Sequence, residues 1–341
     1  MQNYAKIISK FSKKNILVIG DIILDQYIQG SVSRISPEAP VPIVLEENSF
    51  STPGGAANVA HNLRSLGANV TLAGMVGKDP EGEILRKELS KKGINTKAVF
   101  VDSKLPTILK LRIIAQHQQV VRVDKEKFCK HQSKIIFKKI TDFLKRNIKN
   151  YDAIIVSDYG KGLISKELIS FVCSLAEEKN KIITVDPKVE NFNYYRKVTA
   201  ITPNRSEAEN AIRNIKITAD SSESLAIRTE KLTKDSDINL AGNELLKYLE
   251  LESLLITLGE NGMRLFEKGK KPHSIKTKAQ EVHDVSGAGD AVISAFTLSL
   301  TAGSTKIQAA EISNFAGGIV VGKMGAVAVT KKELLEAIKS H

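Results

Sequence analysis

The sequence predicts an α/β fold, with a mostly parallel sheet covered by helices on both faces and a small β-rich flap at its side. Three observations lead there. Short apolar runs alternate with stretches of helical period along most of the chain. Those runs have the length and bounding turn signals of strands buried between helix layers. Two ribbon-like segments interrupt the alternation, and strands inserted there fit poorly into a central parallel sheet.

Residues 15–20, NILVIG, form the first buried strand and end at Gly20-Asp21. Residues 28–48, with Pro37, Pro40 and Pro42, read as an antiparallel ribbon. A helix is expected over 54–67, a strand over 69–75 and a helix over about 80–92. Residues 105–124 read as a second hairpin, ILKLRII and then QVVRVD. Strands follow at 152–156, 181–185, 199–201 and 253–258, separated by helical patterns at 164–178, 206–213 and 237–249. Residues 214–236 are polar, with several Ser, Thr and Asp, and read as a loop or surface insertion. No repeat or linker divides the chain, so one domain over 1–341 is expected, its flap built from 28–48 and 105–124.

Composition narrows the class. Hydrophobic residues are 42% of the 341, enough for a sizeable core and against global disorder. Two distant cysteines, Cys129 and Cys173, fit neither a disulfide framework nor a metal spacing, which points to a reducing compartment. The first residues lack the apolar core of a signal peptide, and no run reaches membrane-spanning length, so a cytoplasmic protein is expected. The net charge of +12 is spread over short pairs such as Lys91-Lys92 and Lys270-Lys271, aromatics are 5% and tryptophan is absent. That pattern suits a solvated surface and phosphorylated small molecules better than nucleic acid.

Several turns could carry chemistry. HDVSGAGDAVISAF (283–296) places Gly287, Ala288, Gly289 and Asp290 at a helix start, where free N–H groups and the dipole favour an anion. It lacks the GK[ST] ending of a phosphate-binding P-loop and the third small residue of the dinucleotide fingerprint. Taken alone it is an anion-friendly turn or simply a tight one. Asp21 and Asp25 follow the first strand, where carboxylates can accept hydrogen bonds from a sugar. Gly54 and Gly55 open the next helix and allow close backbone approach, and Asn58 offers a donor and an acceptor; a cap with tight packing is the lesser alternative. Asn204, Arg205, Ser206 and Glu207 follow another strand; Asn204 and Glu207 suit water-mediated Mg²⁺ binding or an ordinary capping box. Thr257 to Gly262 read as a hairpin-like turn.

Taken in this order, the elements resemble the ribokinase-type (PfkB) carbohydrate kinases over residues 15–338, and within that family the heptose 7-phosphate kinases of lipopolysaccharide-core precursor synthesis. The runs that carry the resemblance are GDIILD (20–25), SRISPEAPVPIV (33–44), PGGAANVAHNLRSLGA (53–68), ILKLR (108–112), SDYGKG (157–162), DPK (186–188), TPNRSE (202–207), EVHDVSGAGDAVIS (281–294) and VVGKMGA (320–326). SRISPEAPVP discriminates most, since generic ribokinases do not share it.

The resemblance implies a three-layer ribokinase-like domain with a β-sheet lid, often paired lid to lid in a homodimer. It implies ATP and Mg²⁺ as cofactors, with Asp290 as base and the amides of Gly287, Ala288 and Gly289 as the anion hole for the transferring phosphoryl group. Asn204 and Glu207 would order Mg²⁺ and phosphates; Arg205, Ser206, Thr257, Gly259, Gly262 and Asn314 would line the nucleotide. Asp284 and Ser286 would help a K⁺ site present in some relatives. The sugar would rest on Asp21, Asp25, Gly54, Gly55 and Asn58, and its phosphate on Arg34, Lys110 and Arg112. The implied reaction is phosphorylation at the anomeric hydroxyl of D-glycero-β-D-manno-heptose 7-phosphate to the 1,7-bisphosphate, a precursor of ADP-heptose. A fructose 1- or 6-phosphate kinase, or a basic nucleic-acid-binding protein, are the alternatives. Ala291 stands where relatives often carry Thr, and 214–236 is longer than in them. The HxGH signature of the adenylyltransferase in bifunctional relatives is not found, so that step is expected from another polypeptide.

Overall fold

In the computed structural model Asn15–Gly20 (β1) is an inner strand, third from one edge, of a nine-stranded sheet. The described residues are 2–340 apart from 117, 128–133, 219–230, 279–281, 283, 324 and 326. The remaining strands are β2 (Ile22–Ile35), β3 (Pro42–Gly55), β4 (Asn69–Gly77), β5 (Asn95–Asp102), β6 (Ile108–Ala115), β7 (Gln118–Lys125), β8 (Ala153–Ser157), β9 (Ile182–Asp186), β10 (Ala200–Ile201), β11 (Ser253–Thr257), β12 (Met263–Glu267) and β13 (His273–Ile275). The helices are α1 (Gln2–Ser9), α2 (Ala56–Ser65), α3 (Pro80–Lys91), α4 (Lys134–Asn147), α5 (Lys166–Glu178), α6 (Arg205–Thr218), α7 (Asp235–Tyr248), α8 (Ala288–Thr301), α9 (Lys306–Val321) and α10 (Lys331–Lys339).

The large sheet runs β13-β12-β11-β10-β9-β8-β1-β4-β5, parallel from β11 to β5 and closed at one edge by the antiparallel β12 and β13. Both of its faces are buried. Leu17 and Ile19 of β1 belong to the core that includes residues of α4–α7, whereas Ile16 and Val18 belong to the core that includes residues of α1–α3 and α8–α10. The period of two along one strand thereby separates two helix layers. This is the three-layer α/β fold expected.

A second, four-stranded sheet in the order β3-β2-β6-β7 stands beside the first. Its first pair is longer than the ribbon expected over 28–48, because β2 starts at Ile22, just after β1, and β3 continues through Gly54 and Gly55. The helix expected from 54 therefore begins at Ala56. The first of these glycines is dictated by packing: a Cβ on Gly54 would lie 2.0 Å from Asp25 Oδ2.

Helix α6 reaches Thr218, so 214–218 are not loop; Ala208, Ala211, Ile212 and Ile215 form a buried stripe that the polar composition hid. Helix α7 starts at Asp235, where the Asp237 carboxylate accepts from the Lys234 amide at 3.3 Å. Within the span read as an insertion, 219–230 lie outside the described residues, as does Cys129. Cys173 is a free thiol. Among the described residues no helix is long and apolar enough to cross a membrane.

Candidate active site

The carboxyl ends of β8, β9, β10 and β11 and the N-terminal ends of α6 and α8 open onto one cavity of about 890 Å³. Parallel sheets concentrate ligand sites at such ends, because strands stop there and helix N-termini aim free amides into the crevice. Gly287 takes φ +78° as the residue before α8, a left-handed conformation that a glycine adopts without strain. The Ala288 amide turns back to Val285 O at 3.3 Å, while the amides of Gly287 and Gly289 find no backbone acceptor among the described residues. A Cβ at Gly289 would meet nothing within 4 Å, so this turn faces open space.

Asp290 is buried in the first turn of α8. Its Oδ2 accepts from Asn58 Nδ2 at 2.6 Å and its Oδ1 from the Tyr159 hydroxyl at 2.9 Å. Burial raises its pKa to about 6; the two hydrogen bonds oppose that rise and the charge of Asp25 adds to it. A carboxylate with this value is a stronger base near neutrality than an ordinary aspartate. Asn58, expected against the sugar, donates one amide hydrogen to Asp290.

Asp21 is also buried, and both of its oxygens are occupied. Oδ2 accepts the amides of Tyr159 at 3.0 Å and Lys161 at 3.1 Å, and Oδ1 accepts that of Leu163 at 3.2 Å. Burial, then the charge of Asp158, raises its pKa to about 6 despite these three donors. Asp21 thus anchors the 158–163 loop. Its backbone oxygen accepts from Ala56 N at 3.0 Å and would meet a Cβ at Gly55 at 2.5 Å.

Asp25 lies on the second sheet, with Oδ1 2.5 Å from Arg112 Nη1. The guanidinium also sits 5.3 Å from the centre of the Tyr27 ring, so Arg112 is committed to the sheet. Lys110 is the register partner of Asp25 and makes no ion pair among the described residues. The Thr52 hydroxyl, opposite Asp25 on β3, is buried without a hydrogen-bond partner. Arg34 departs from expectation. It is exposed, seven residues beyond Tyr27 along β2, roughly 20 Å at strand rise, so this chain does not bring it to Lys110 and Arg112.

On the nucleotide side Asn204, Arg205, Ser206, Glu207, Thr257, Gly259, Gly262 and Asn314 all line the cavity together with Gly287–Asp290. Asn204 and Glu207 form a reciprocal capping box: Asn204 N donates to Glu207 Oε2 at 2.8 Å and Glu207 N to Asn204 Oδ1 at 2.9 Å. An isolated bridge sets Asn204 beside Thr257. Arg205 Nε is buried without a partner, and Asn314 Nδ2 donates to Lys276 O at 2.6 Å. Asp284 accepts the Ser286 amide at 2.9 Å and the Gly325 amide at 3.0 Å; burial works against it, but these bonds hold its pKa down. Both of its oxygens serve the backbone.

Sequence reasoning assigned no role to Tyr159, Asp186 or Lys188. Burial lifts Asp186 well above the carboxylate range, and the charges of Glu207, Asp290 and Asp158 push the same way; burial also raises Glu207, against the pull of the Asn204 amide and Lys188. Two carboxylates that crowd one cavity wall suit a cation. Mg²⁺ needs only one or two protein carboxylates beside phosphates and water. The missing signal was positional, since SDYGKG and DPK sit at the ends of strands 152–156 and 181–185, as Asp21 does after the first strand.

The sequence pattern of the pfkB family carbohydrate kinases matches residues 13–333. Bifunctional protein HldE of Desulfatibacillum aliphaticivorans is 39% identical over 96% of this chain and 63% of its own length. That of Helicobacter hepaticus is 41% identical over 96% and 64%. The chain therefore spans less than two thirds of the length of these relatives. Arabidopsis thaliana ribokinase, solved with ribose and ATP, superposes with a TM-score of 0.71 at 16% identity, over 96% of this chain and 99% of its own. Escherichia coli phosphofructokinase-2, solved with potassium, gives 0.77 at 16% identity over 96% and 99%.

Proposed function

The chain belongs to the pfkB family of carbohydrate kinases, and from that premise we propose that it transfers the γ-phosphoryl group of ATP to the anomeric hydroxyl of D-glycero-β-D-manno-heptose 7-phosphate. The observation that carries the chemistry is Asp290, buried beside the open amide turn of Gly287 and Gly289, with a pKa of about 6. Asp290 takes the proton of the attacking hydroxyl, and the turn receives charge from the transferring group. Tyr159 and Asn58 fix both carboxylate oxygens, so the base does not swing. Asp186 and Glu207 would hold Mg²⁺, directly or through water, and the ion would neutralise phosphate charge during transfer.

The heptose assignment is supported by the SRISPEAPVPIV run and by relatives named HldE at 39–41% identity. The likeness to ribokinase and phosphofructokinase-2, at 16% identity, speaks for the fold alone. The four-stranded sheet acts as a lid over the sugar. Its exposed Ile35, Leu45, Val121 and Val123, and the fully exposed edge strand β7, suit pairing with the lid of a second copy in a cytoplasmic homodimer.

The test is a panel of sugar phosphates read by ADP release, with the product's new phosphate located by NMR. Heptose 7-phosphate should give the highest kcat/KM and a 1,7-bisphosphate. A higher value with fructose 1- or 6-phosphate would overturn the assignment.

A further inference from the structure

A second cavity, of about 300 Å³, shares one wall with the nucleotide side of the first. It is built where α1, α9 and α10 meet the end of β13. Tyr4 comes from α1, Glu311 and Phe315 from α9, Ile338 from α10, and Lys276 and Lys278 from the chain that follows β13. Of its lining residues only Asn314 also lines the active-site cavity. We propose that this second cavity binds a small carboxylic acid with an apolar body, and that its occupancy alters the affinity for ATP.

Size and polarity point to that ligand. The volume is at the lower end of small-molecule pockets, which run from about 300 to 1,000 Å³. Ile275, Phe315 and Ile338 are buried and supply an apolar wall. Three charged groups stand beside it. Lys276 and Lys278 make no ion pair among the described residues, and Lys278 Nζ rests 5.4 Å from the centre of the Phe315 ring. Glu311 is already engaged, since its carboxylate accepts from the Tyr4 hydroxyl. Burial, then that hydrogen bond and the charge of Glu311, raise the Tyr4 pKa to about 12, so the hydroxyl keeps its proton and the contact holds near neutrality. Two cations against one anion leave a surplus of one positive charge. A carboxylate matches that surplus, whereas a phosphate ester brings about 1.5 to 2 negative charges at neutral pH. The lysines act as point charges on the acid, and an aromatic or branched body would displace water from the apolar wall.

The shared wall links the two cavities. Thr277 lines the active-site cavity, while its neighbours Lys276 and Lys278 line the second. Asn314 is buried and lines both, and its Nδ2 donates to Lys276 O at 2.6 Å. An acid that draws the two lysines inward therefore acts on a segment whose other side borders the nucleotide. Such coupling is reciprocal, so ATP must alter the affinity for the acid by the same factor.

The probe is benzoate, with benzyl alcohol as its neutral counterpart. Each is added to wild type alone and to wild type saturated with Mg²⁺ and a non-hydrolysable ATP analogue, and binding is read by ligand-detected NMR. The double variant Lys276→Gln with Lys278→Gln, and Glu311→Gln, are measured beside it. Benzoate should bind wild type saturably, and benzyl alcohol about 10-fold more weakly or worse. The double variant should lose about 10-fold in benzoate affinity, and Glu311→Gln should gain, because a competing negative charge is gone. The Kd of ATP, read by calorimetry, should change about 5-fold or more with benzoate in wild type and stay fixed in the double variant. No benzoate binding to either form of wild type, or equal binding of acid and alcohol, overturns the site. Binding lost in Glu311→Gln but kept in the double variant overturns it as well, since the ligand would then be held by the carboxylate. Both lysines sit at the surface of the cavity, so the double variant carries the test if Glu311→Gln does not fold. Binding with an unchanged Kd for ATP overturns the coupling. No sugar enters these measurements, so their failure is separate from that of the acceptor assignment.

Discussion

The Tyr159 hydroxyl donates to Asp290 Oδ1 at 2.9 Å, and the Tyr159 amide donates to Asp21 Oδ2 at 3.0 Å. One residue thus ties Asp290 at the start of α8 to the carboxylate that follows β1. Tyr159→Phe removes the hydroxyl and keeps the loop. A hydrogen bond to an ionised carboxylate is worth about 1.5–3 kcal/mol. We expect kcat to fall about 10-fold or more, with KM for ATP unchanged. Because the lost bond favoured the charged form, the acid limb of the kcat/KM profile should move to higher pH. A limb that stays in place would remove Tyr159 from the role of tuning the base.

Asp290→Asn should fold and bind nucleotide but lose turnover by about 100-fold or more, the usual scale of a missing general base. The wild-type kcat/KM should fall as pH drops through about 6, where Asp290 becomes protonated. Near-wild-type kcat in this variant, measured by ADP release, would sink the assignment.

The same variant carries a stability signature. The folded pKa of Asp290 lies above its unfolded value, so protonation favours folding; this contribution is fully present below about pH 4 and lost as pH rises through about 6. At pH 7.5 wild type bears the cost of a buried charge that Asn avoids. Asp290→Asn should therefore melt higher at pH 7.5, by roughly 3 kcal/mol at most, and the gap should close toward pH 4. Thermal melts across pH check the sign.

Gly289→Ala separates folding from function. The added methyl meets no protein atom within 4 Å, and alanine favours a helix over glycine by about 1 kcal/mol, so the melting temperature should hold or rise. The methyl would instead occupy the open turn beside Asp290, with turnover down about 10-fold or more. Wild-type turnover would show that no phosphate approaches there.

Asp21→Ala should damage the fold more than any sugar contact could. It strands three amides, each worth about 1–3 kcal/mol when left without an acceptor. A loss of about 3 kcal/mol or more, read by urea unfolding, is expected, together with weakened turnover through the displaced Tyr159. An unchanged midpoint would mean that the loop holds itself.

Val121→Lys combined with Val123→Glu tests lid pairing. Both side chains are exposed on the edge strand β7. Sedimentation should show wild type as a dimer and the variant as a monomer; a monomeric wild type would end that part of the proposal.

The sequence by itself determined the alternating core, since every buried strand carries its own apolar run, and it determined the glycine-rich helix start at 287–290, since that conformation is local. It also named residues that line the cavity, Asn204 to Glu207 and Thr257, because they lie at or just after strand ends that periodicity reveals. Tertiary structure decided the roles of the charged groups. Asp21 and Asp25 are four residues apart in the same short motif, yet one binds three amides of a distant loop and the other an arginine of the lid. Asp290 has a pKa near 6 through burial, which outweighs the opposing hydrogen bonds from partners 232 and 131 residues away. Arg34, Lys110 and Arg112 look alike as a list of cations, and strand register separated the first from the others. Desolvation and pairing depend on which side chains meet in space, and a linear pattern carries local conformation but not those meetings.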